Sequence, residues 1–587
     1  MEPFLSILIV IDIVMRCLKH SQLILNLILF LLLISIIYLT IPFASSNSRS
    51  LDDLRESFDS QNRFHKFHIS HEPIIISSNA DFAILEFPGN GTEQTPFIIE
   101  EYTISTKQTC IFIQDTDSFF IIRNCLFLGG GSGHGIMLTN VTNGLIQKNI
   151  IGQKSAGIIL SGCSNNIIEN NTISQNKGDG VYLYQSSENM IAENNISENQ
   201  LDGIYIGSSS TCIVVNNTLF NNRMGLSLIS SSDTTIMTNI FVSNGVHIYG
   251  SEEVHWRHSI SENNLINGKP LGYFWNRIHE RINAAQYGQV ILANCTEVVV
   301  EDGVLYNTSV GIVLGYSTFC NLTNSNILQN SWVGIFLSHS SNNNILNTTI
   351  HKNRDTGILI ESSFNNTVSY NYCAGIRLSS SGYNTVSGNI ILGERQPLTN
   401  KTIDGIKFYS SDYNIVTNNT IMGNNYGIYL LDSSANLILN NTIKSNYDGL
   451  YFYSSSNNEI TKNTVSENSN YGLFFGRQTT NNFVYLNIIA NNEIKGARDN
   501  GIGNHWNTTR KGNYWSDYDG TGVYKISGTA GSKDYHPLSN IQEISETTTT
   551  SVPNSNDDIF QLSIVIASIG VIGAIVIGFV YFKLKKG

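Results

Sequence analysis

Charged side chains are scarce in this sequence. Asp, Glu, Lys and Arg make up 14% of its 587 residues, where an ordinary soluble chain has about a quarter. Asn, Ser, Thr, Gly and Tyr take their place. That balance disfavours long surface helices, which draw on Glu, Lys and Ala, and favours short strands and turns. Basic clusters are missing from the middle of the chain, and the net charge is −12. Both argue against a nucleic-acid partner, because binding phosphates takes clustered Lys and Arg. No C-x-x-C pair occurs among Cys17, Cys110, Cys125, Cys163, Cys212, Cys295, Cys320 and Cys373. Free cysteine buried in a core is the expected state, although an extracellular setting permits disulfides.

What is present begins at the two ends. Residues 23–41 are an almost unbroken apolar run, preceded by Arg16, Lys19 and His20 and followed by the small residues Ala44, Ser45 and Ser46. This order reads as a signal peptide or signal anchor over residues 1–46, with Met15 as an alternative start. Residues 562–582 carry no charge, and Lys583, Lys585 and Lys586 follow. They read as a single transmembrane helix with a cytoplasmic basic tail, within a terminal segment of residues 559–587. Gly570, Ala574 and Gly578 line one face of it, where a second membrane helix would pack. Residues 541–558 read as a polar stalk. The bulk of the chain is therefore expected outside the cell membrane, on a tether.

Between the ends lies a repeat. Gly–apolar–x–apolar recurs as GIML at Gly135, GIIL at Gly157, GVYL at Gly180, GIYI at Gly203 and GLSL at Gly225. It returns at Gly311, Gly334, Gly357, Gly405, Gly427, Gly449 and Gly472, mostly in steps of 22 or 23 residues. Asn–Thr–Ile or a close variant keeps the same period at Asn171, Asn217, Asn347, Asn419, Asn441 and Asn463. Each period holds three short apolar runs, none with the length or 3.6-residue spacing of a helix. Strands of that kind wind into a three-faced coil, and stacked coils bury what one coil cannot. Recurrent Asn suits the corners, through left-handed backbone or through amides bonded from coil to coil. The prediction is an all-β, right-handed parallel β-helix over residues 73–504, its hand taken from the rule for parallel crossovers. A cap over residues 47–72 is expected, with a capping box at Ser50–Asp53 and Leu51, Leu54 and Phe58 on one helix face. A Trp/Tyr-rich cap is expected over 505–540. The period breaks near residues 251–287, read as an irregular coil or a protruding loop.

Several blocks go beyond a generic repeat. They are ADFAILEFPGNGTEQTPFIIEEYTIS from Ala80, FFIIRNC from Phe119, INGKPLGYF from Ile266, GQVILANC from Gly288, GNYWSDYDG from Gly512 and DYHPL from Asp534. With the stacked coils they resemble the NosD-like and CASH (carbohydrate-binding and sugar hydrolase) proteins of the pectin lyase-like superfold, over residues 73–538. The resemblance implies the same right-handed β-helix. It also implies functions ranging from copper-centre assembly to binding or cleaving polysaccharide, among which a fold does not choose. The terminal block departs from its relatives. TGVYKISGTAGSK replaces an Asp/Gly-rich run, and Asp517 and Asp519 alone are poor ligands for calcium.

The candidate chemistry is glycan contact. Asp179 and Asp202 each precede a repeat glycine and sit one coil apart, with Tyr182 and Tyr205 stacked beside them. Sugar-cleaving enzymes need two carboxylates about 5–10 Å apart, but Asp-Gly is also a good turn, and Asp404 and Asp448 occupy the same register. Tyr409, Tyr429, Tyr451 and Tyr453 form a second outward aromatic patch. SGHGI from Ser132 lacks the paired aspartates a polygalacturonase would need. His255 and His258 are weak metal candidates in an H-x-x-H, with His279 further on and no Met-rich segment nearby. Sequons such as Asn90, Asn140, Asn195 and Asn507 mostly belong to the Asn–Thr pattern. The expectation is a membrane-tethered, non-catalytic surface β-helix without a cofactor, binding glycan or envelope partners. Two alternatives stand: a polysaccharide-active enzyme of the same fold, and a copper-site assembly factor.

Overall fold

The computed structural model describes residues 69–395 and 402–545. The signal or anchor segment, the helix expected near Ser50, the stalk and the membrane segment with Gly570, Ala574 and Gly578 lie outside them. Among the described residues no helix is long and apolar enough to cross a membrane.

The chain is an all-β, right-handed parallel β-helix with almost no helix. Each coil gives one short strand to each of three faces, as with Ile158–Ser161, Ile167–Glu169 and Thr172–Ser174. Alternation along the strand sets the core. In Val181–Tyr184, Val181 and Leu183 are fully buried, while Tyr182 and Tyr184 point outward. The repeat glycine is required by close approach of successive coils, not by an unusual backbone. A Cβ on Gly180 would lie 2.6 Å from the Gly203 carbonyl oxygen and 2.6 Å from the Ile196 side chain.

Asparagine ladders run along the corners. In one, each amide nitrogen donates to the next amide oxygen at 3.0 Å, from Asn149 through Asn171, Asn194, Asn217 and Asn239 to Asn264. These side chains are buried, and each linked amide also satisfies corner carbonyls that no strand reaches. Of the two reasons for corner asparagine, the coil-to-coil amide is the one at work. The left-handed position is the residue before it, filled by Asn170, Glu193, Asn216 and Thr238 alike. A second ladder runs from Asn371 to Asn513.

The region read as an irregular coil or loop is neither. Leu265–Ile266 is the last strand of one coil stack, and it pairs antiparallel with Pro270 and Lys269 across an Asn267–Gly268 turn, both residues at positive φ. The chain reverses there and starts a second stack, whose strand Lys269–Trp275 runs parallel to Gln289–Ala293. One sheet of 20 strands therefore joins the Asn–Thr–Ile face of the first stack to the glycine-motif face of the second. The other faces stay separate, as two sheets of eight strands in the first stack and two of ten in the second.

The open end of the first stack is covered by the outward side of the second. Val313, Phe336 and Leu359 pack into the first core with Val246, Ile248 and Trp256, while Ile312, Leu314 and Ile335 belong to the second. Gln289 stands in for a missing strand: its side chain accepts from the Val246 N–H at 2.9 Å and donates to the Val246 carbonyl at 2.6 Å. Ser309 accepts from the Gly245 N–H at 2.8 Å. An edge that would otherwise invite pairing is closed from within the chain.

A further irregularity was not expected from the sequence. Ladder residues Asn371 and Asn389 are 18 apart, and Asn389 and Asn419 are 30 apart, so a short coil is followed by a long one. The sheet begins earlier than residue 73, because Ile69–Ser70 already pairs with Tyr102 and Thr103. The helix at the N-terminal end of the described stack is Asn79–Ile84, which seats Phe82 on Phe97 with ring centres 4.7 Å apart. At the far end Asp499 accepts from the Trp506 indole N–H, and Asp534 from that of Trp515, both at 3.0 Å. All seven described cysteines are free and buried.

Candidate functional site

The outward positions of the glycine-motif strands form one column on each stack. On the first stack strand register aligns Met137, Ile159, Tyr182, Tyr205, Ser227 and His247. On the second it aligns Leu359, Arg377, Lys407, Tyr429, Tyr451 and Phe474. Where the second stack covers the end of the first, the first column runs into a cleft of about 480 Å³. Asp202, Tyr205, Arg223 and His247 come from the first stack, and Trp332 and Arg354 from the second.

The expected residues divide between scaffold and surface. Tyr182 and Tyr205 are stacked, with ring centres 4.7 Å apart and planes 9° apart. Asp179 is turned to the backbone, accepting from the Asp202 N–H at 2.8 Å. Asp448 does the same for Tyr471 at 2.9 Å, so this is a recurring coil link. Burial pushes the Asp179 carboxyl up to about 6, opposed by that N–H and assisted by the Asp202 charge. Asp202 is itself buried, faces Arg223 at 3.3 Å, and has its carboxyl raised by burial against the pull of Ser227 and Arg223. The two aspartates are thus neighbours with different duties, not a free pair.

The second patch is two parallel columns. Tyr429 and Tyr451 meet edge to face at 5.4 Å, Tyr451 stacks on Phe474 at 4.8 Å, and Lys407 lies 4.9 Å above the Tyr429 ring. Tyr409 and Tyr453 stand two positions further along their strands with Leu431 between them, and both are exposed. The residues missed from sequence are those of the cleft: Arg223, His247, Trp332, Arg354 and Asp355. His247 meets Trp332 edge-on at 4.8 Å, and burial, with the Arg223 charge, pushes its imidazole down to about 4.

The weak metal candidates are held by backbone. His258 accepts from the Thr234 N–H at 3.3 Å through Nδ1, and its Nε2 meets the His255 carbonyl at 3.0 Å. His255 Nδ1 accepts from the Glu252 N–H at 3.3 Å. His258 occupies the last rung of a corner ladder, and burial lowers its pKa from 6.5 to about 4. Between those pH values the unfolded chain binds the proton that the folded chain refuses. His258 therefore leaves stability intact above pH 6.5 and removes about 3 kcal/mol as pH falls to 4. His258→Asn keeps an amide rung at every pH. Urea midpoints measured across that window should fall less steeply in H258N, and an unchanged slope would count against this placement.

With the fold and site described, the chain can be placed among known proteins. The architecture is that of the parallel β-helix class. The family model described as "Periplasmic copper-binding protein (NosD)" matches residues 69–279, 259–402 and 374–520, and the chain belongs to that family. No curated protein sequence matches it. Among solved structures it is similar to an alginate lyase from Paenibacillus sp. str. FPU-7, at 12% identity and a TM-score of 0.24, covering 55% of this chain and 95% of that one. It is also similar to the periplasmic alginate epimerase AlgG, at 14% and 0.26, covering 66% and 84%. PfbA, a surface adhesin of Streptococcus pneumoniae, aligns at 11% and 0.23, covering 63% and 90%.

The family description raises copper, and the donors among the described residues do not suit it. Among the described residues no three His, Cys, Asp or Glu side chains are grouped to hold a metal ion. The seven described cysteines lie in the core, where burial pushes Cys125, Cys320 and Cys373 up to about 12, away from the thiolate a soft metal needs.

Proposed function

We propose that this protein is a glycan-binding surface β-helix, with a polysaccharide chain lying along the outward columns and through the corner cleft. The observation that carries the reading is the ring stack of Tyr182 and Tyr205 leading directly into that cleft. Stacked at 4.7 Å, the two rings cover each other's faces, so the column offers ring edges and phenol hydroxyls at the coil spacing to the C–H and O–H groups of a sugar chain, and rigid strands hold them without ordering cost. The aromatic strip of Tyr429, Tyr451 and Phe474 extends the same kind of surface on the second stack. The apolar segments at residues 23–41 and 562–582 support secretion and a membrane tether, with this face outside the cell.

The test is retention of polysaccharides by the full chain. The double variant Tyr182→Ala, Tyr205→Ala should weaken retention about tenfold or more, and Tyr429→Ala, Tyr451→Ala should weaken it as well. Unchanged retention in both would remove the reading.

One observation favours catalysis as a second reading. Asp179, raised to about 6, and neutral His247 stand near the same surface. Perturbed groups of this kind collect at active sites. Release of reducing or unsaturated sugar ends from a retained polysaccharide, abolished by Asp179→Asn or His247→Ala, would establish it.

A further inference from the structure

The corner cleft is lined by two arginines, Arg223 and Arg354, and two aspartates, Asp202 and Asp355, and Arg377 from outside the lining engages one of those aspartates. Arg223 faces Asp202 at 3.3 Å, and Arg377 faces Asp355 at 2.8 Å. Arg354 lines the same cleft, half-buried, and forms no ion pair with any described residue. Burial and the neighbouring Arg223 charge both press its pKa down, so two guanidinium groups crowd one space. A half-buried cation of this kind is unfavourable until an anion joins it. The nearest wall is aromatic, formed by Tyr205 and by Trp332 against His247. His247 is neutral at ordinary pH, so it neither repels a cation nor satisfies one. The cleft volume of about 480 Å³ lies in the range of small-ligand sites, about 300–1,000 Å³.

We propose that the corner cleft receives a hexuronate unit of the glycan, its carboxylate on Arg354 and Arg223 and its ring against Trp332 and Tyr205. This rests on the reading of the outward columns as a glycan surface. A carboxylate is preferred over other anions because its two coplanar oxygens match the guanidinium fork. Asp202 and Asp355 do not compete for the role, since each already faces an arginine.

The test is calorimetric titration of the full chain with hexamers of galacturonic, glucuronic, mannuronic and guluronic acid. Each is compared with its methyl ester, which keeps the shape and removes the charge. At least one acid should bind about tenfold more tightly than its ester, with the difference shrinking as salt rises. Arg354→Gln should erase that preference, and Arg354→Lys should keep part of it. Equal binding of acid and ester, or a preference that survives Arg354→Gln, would overturn the proposal and leave the glycan surface standing. Binding of neither form would overturn both. A sulfated hexamer binding as tightly as the best acid would overturn the carboxylate assignment. Should Arg354→Gln fail to fold, Arg354→Lys decides the matter, because it keeps the charge and loses the fork, and an undiminished preference would contradict the proposal.

Discussion

Replacing Trp256 with alanine is expected to uncouple the two coil stacks. The indole is fully buried in the short turn Glu253–Trp256 at the end of the first stack, and its Nε1 donates to the Gly250 carbonyl at 3.1 Å. It lies so close to Gly315 of the second stack that a Cβ there would come within 2.1 Å of the ring. Removing it opens a cavity where the first core meets the outward side of the second. Large-to-small changes of this type cost about 3–5 kcal/mol. In a stacked protein, stability is close to a sum of neighbour terms, so the loss falls on the junction. Chemical denaturation followed by hydrogen exchange should show W256A unfolding in two steps, with residues 69–266 opening before residues 269–538. A single transition at an unchanged midpoint would show that the end-to-face junction contributes little.

The second large effect concerns the asparagine ladder. Asn441 Nδ2 lies 2.9–3.0 Å from the Val416 and Leu439 carbonyls and the Asn463 amide oxygen. Its own oxygen accepts from the Asn419 backbone and side chain at 3.0 and 2.9 Å. Asn441→Asp keeps the shape and removes the donors, leaving a buried carboxylate against carbonyl oxygens. A loss of about 3 kcal/mol or more is expected at neutral pH. A carboxyl forced to ionise there has a raised pKa, so the folded variant binds a proton that the unfolded chain has released. The deficit should therefore shrink as pH falls, which a simple packing defect would not do. Urea midpoints for N441D at pH 7 and pH 5 measure it, and a deficit independent of pH would argue against the ladder as a donor network.

How far the sequence could be read follows from which forces act locally. The coil period, the inward Val181 and Leu183, the ladder asparagines and the buried cysteines repeat within a single turn, so their pattern is visible along the chain. The reversal at Asn267–Gly268 left a local mark, since Asn-Gly is the strongest short signal for a tight hairpin. It was masked by the expectation that a break in a solenoid is an insertion. The junction left a mark as well. The outward position of the glycine motif is apolar in four successive coils, at Ile291, Val313, Phe336 and Leu359, before it turns to Arg377 and Lys407. An outward face that stays apolar over several coils has to be covered by something.

The cleft was not legible. Arg223 and Arg354 are far apart in sequence and lie outside the motif strands. Their meeting depends on where the second stack lands on the first, which no local pattern encodes. The aspartates illustrate the converse. Asp179 and Asp202 looked alike in register, yet one binds the next coil's backbone and the other an arginine, because Arg223 comes into contact with Asp202 and reaches Asp179 only through its charge.

The central claim is that the outward columns and their corner form a surface for an acidic polysaccharide. The most direct measurement is binding of the full chain to an array of neutral, sulfated and carboxylated glycans at physiological salt. Retention of carboxylated chains above neutral ones of the same length is the predicted result. Retention of no glycan above background would contradict the account.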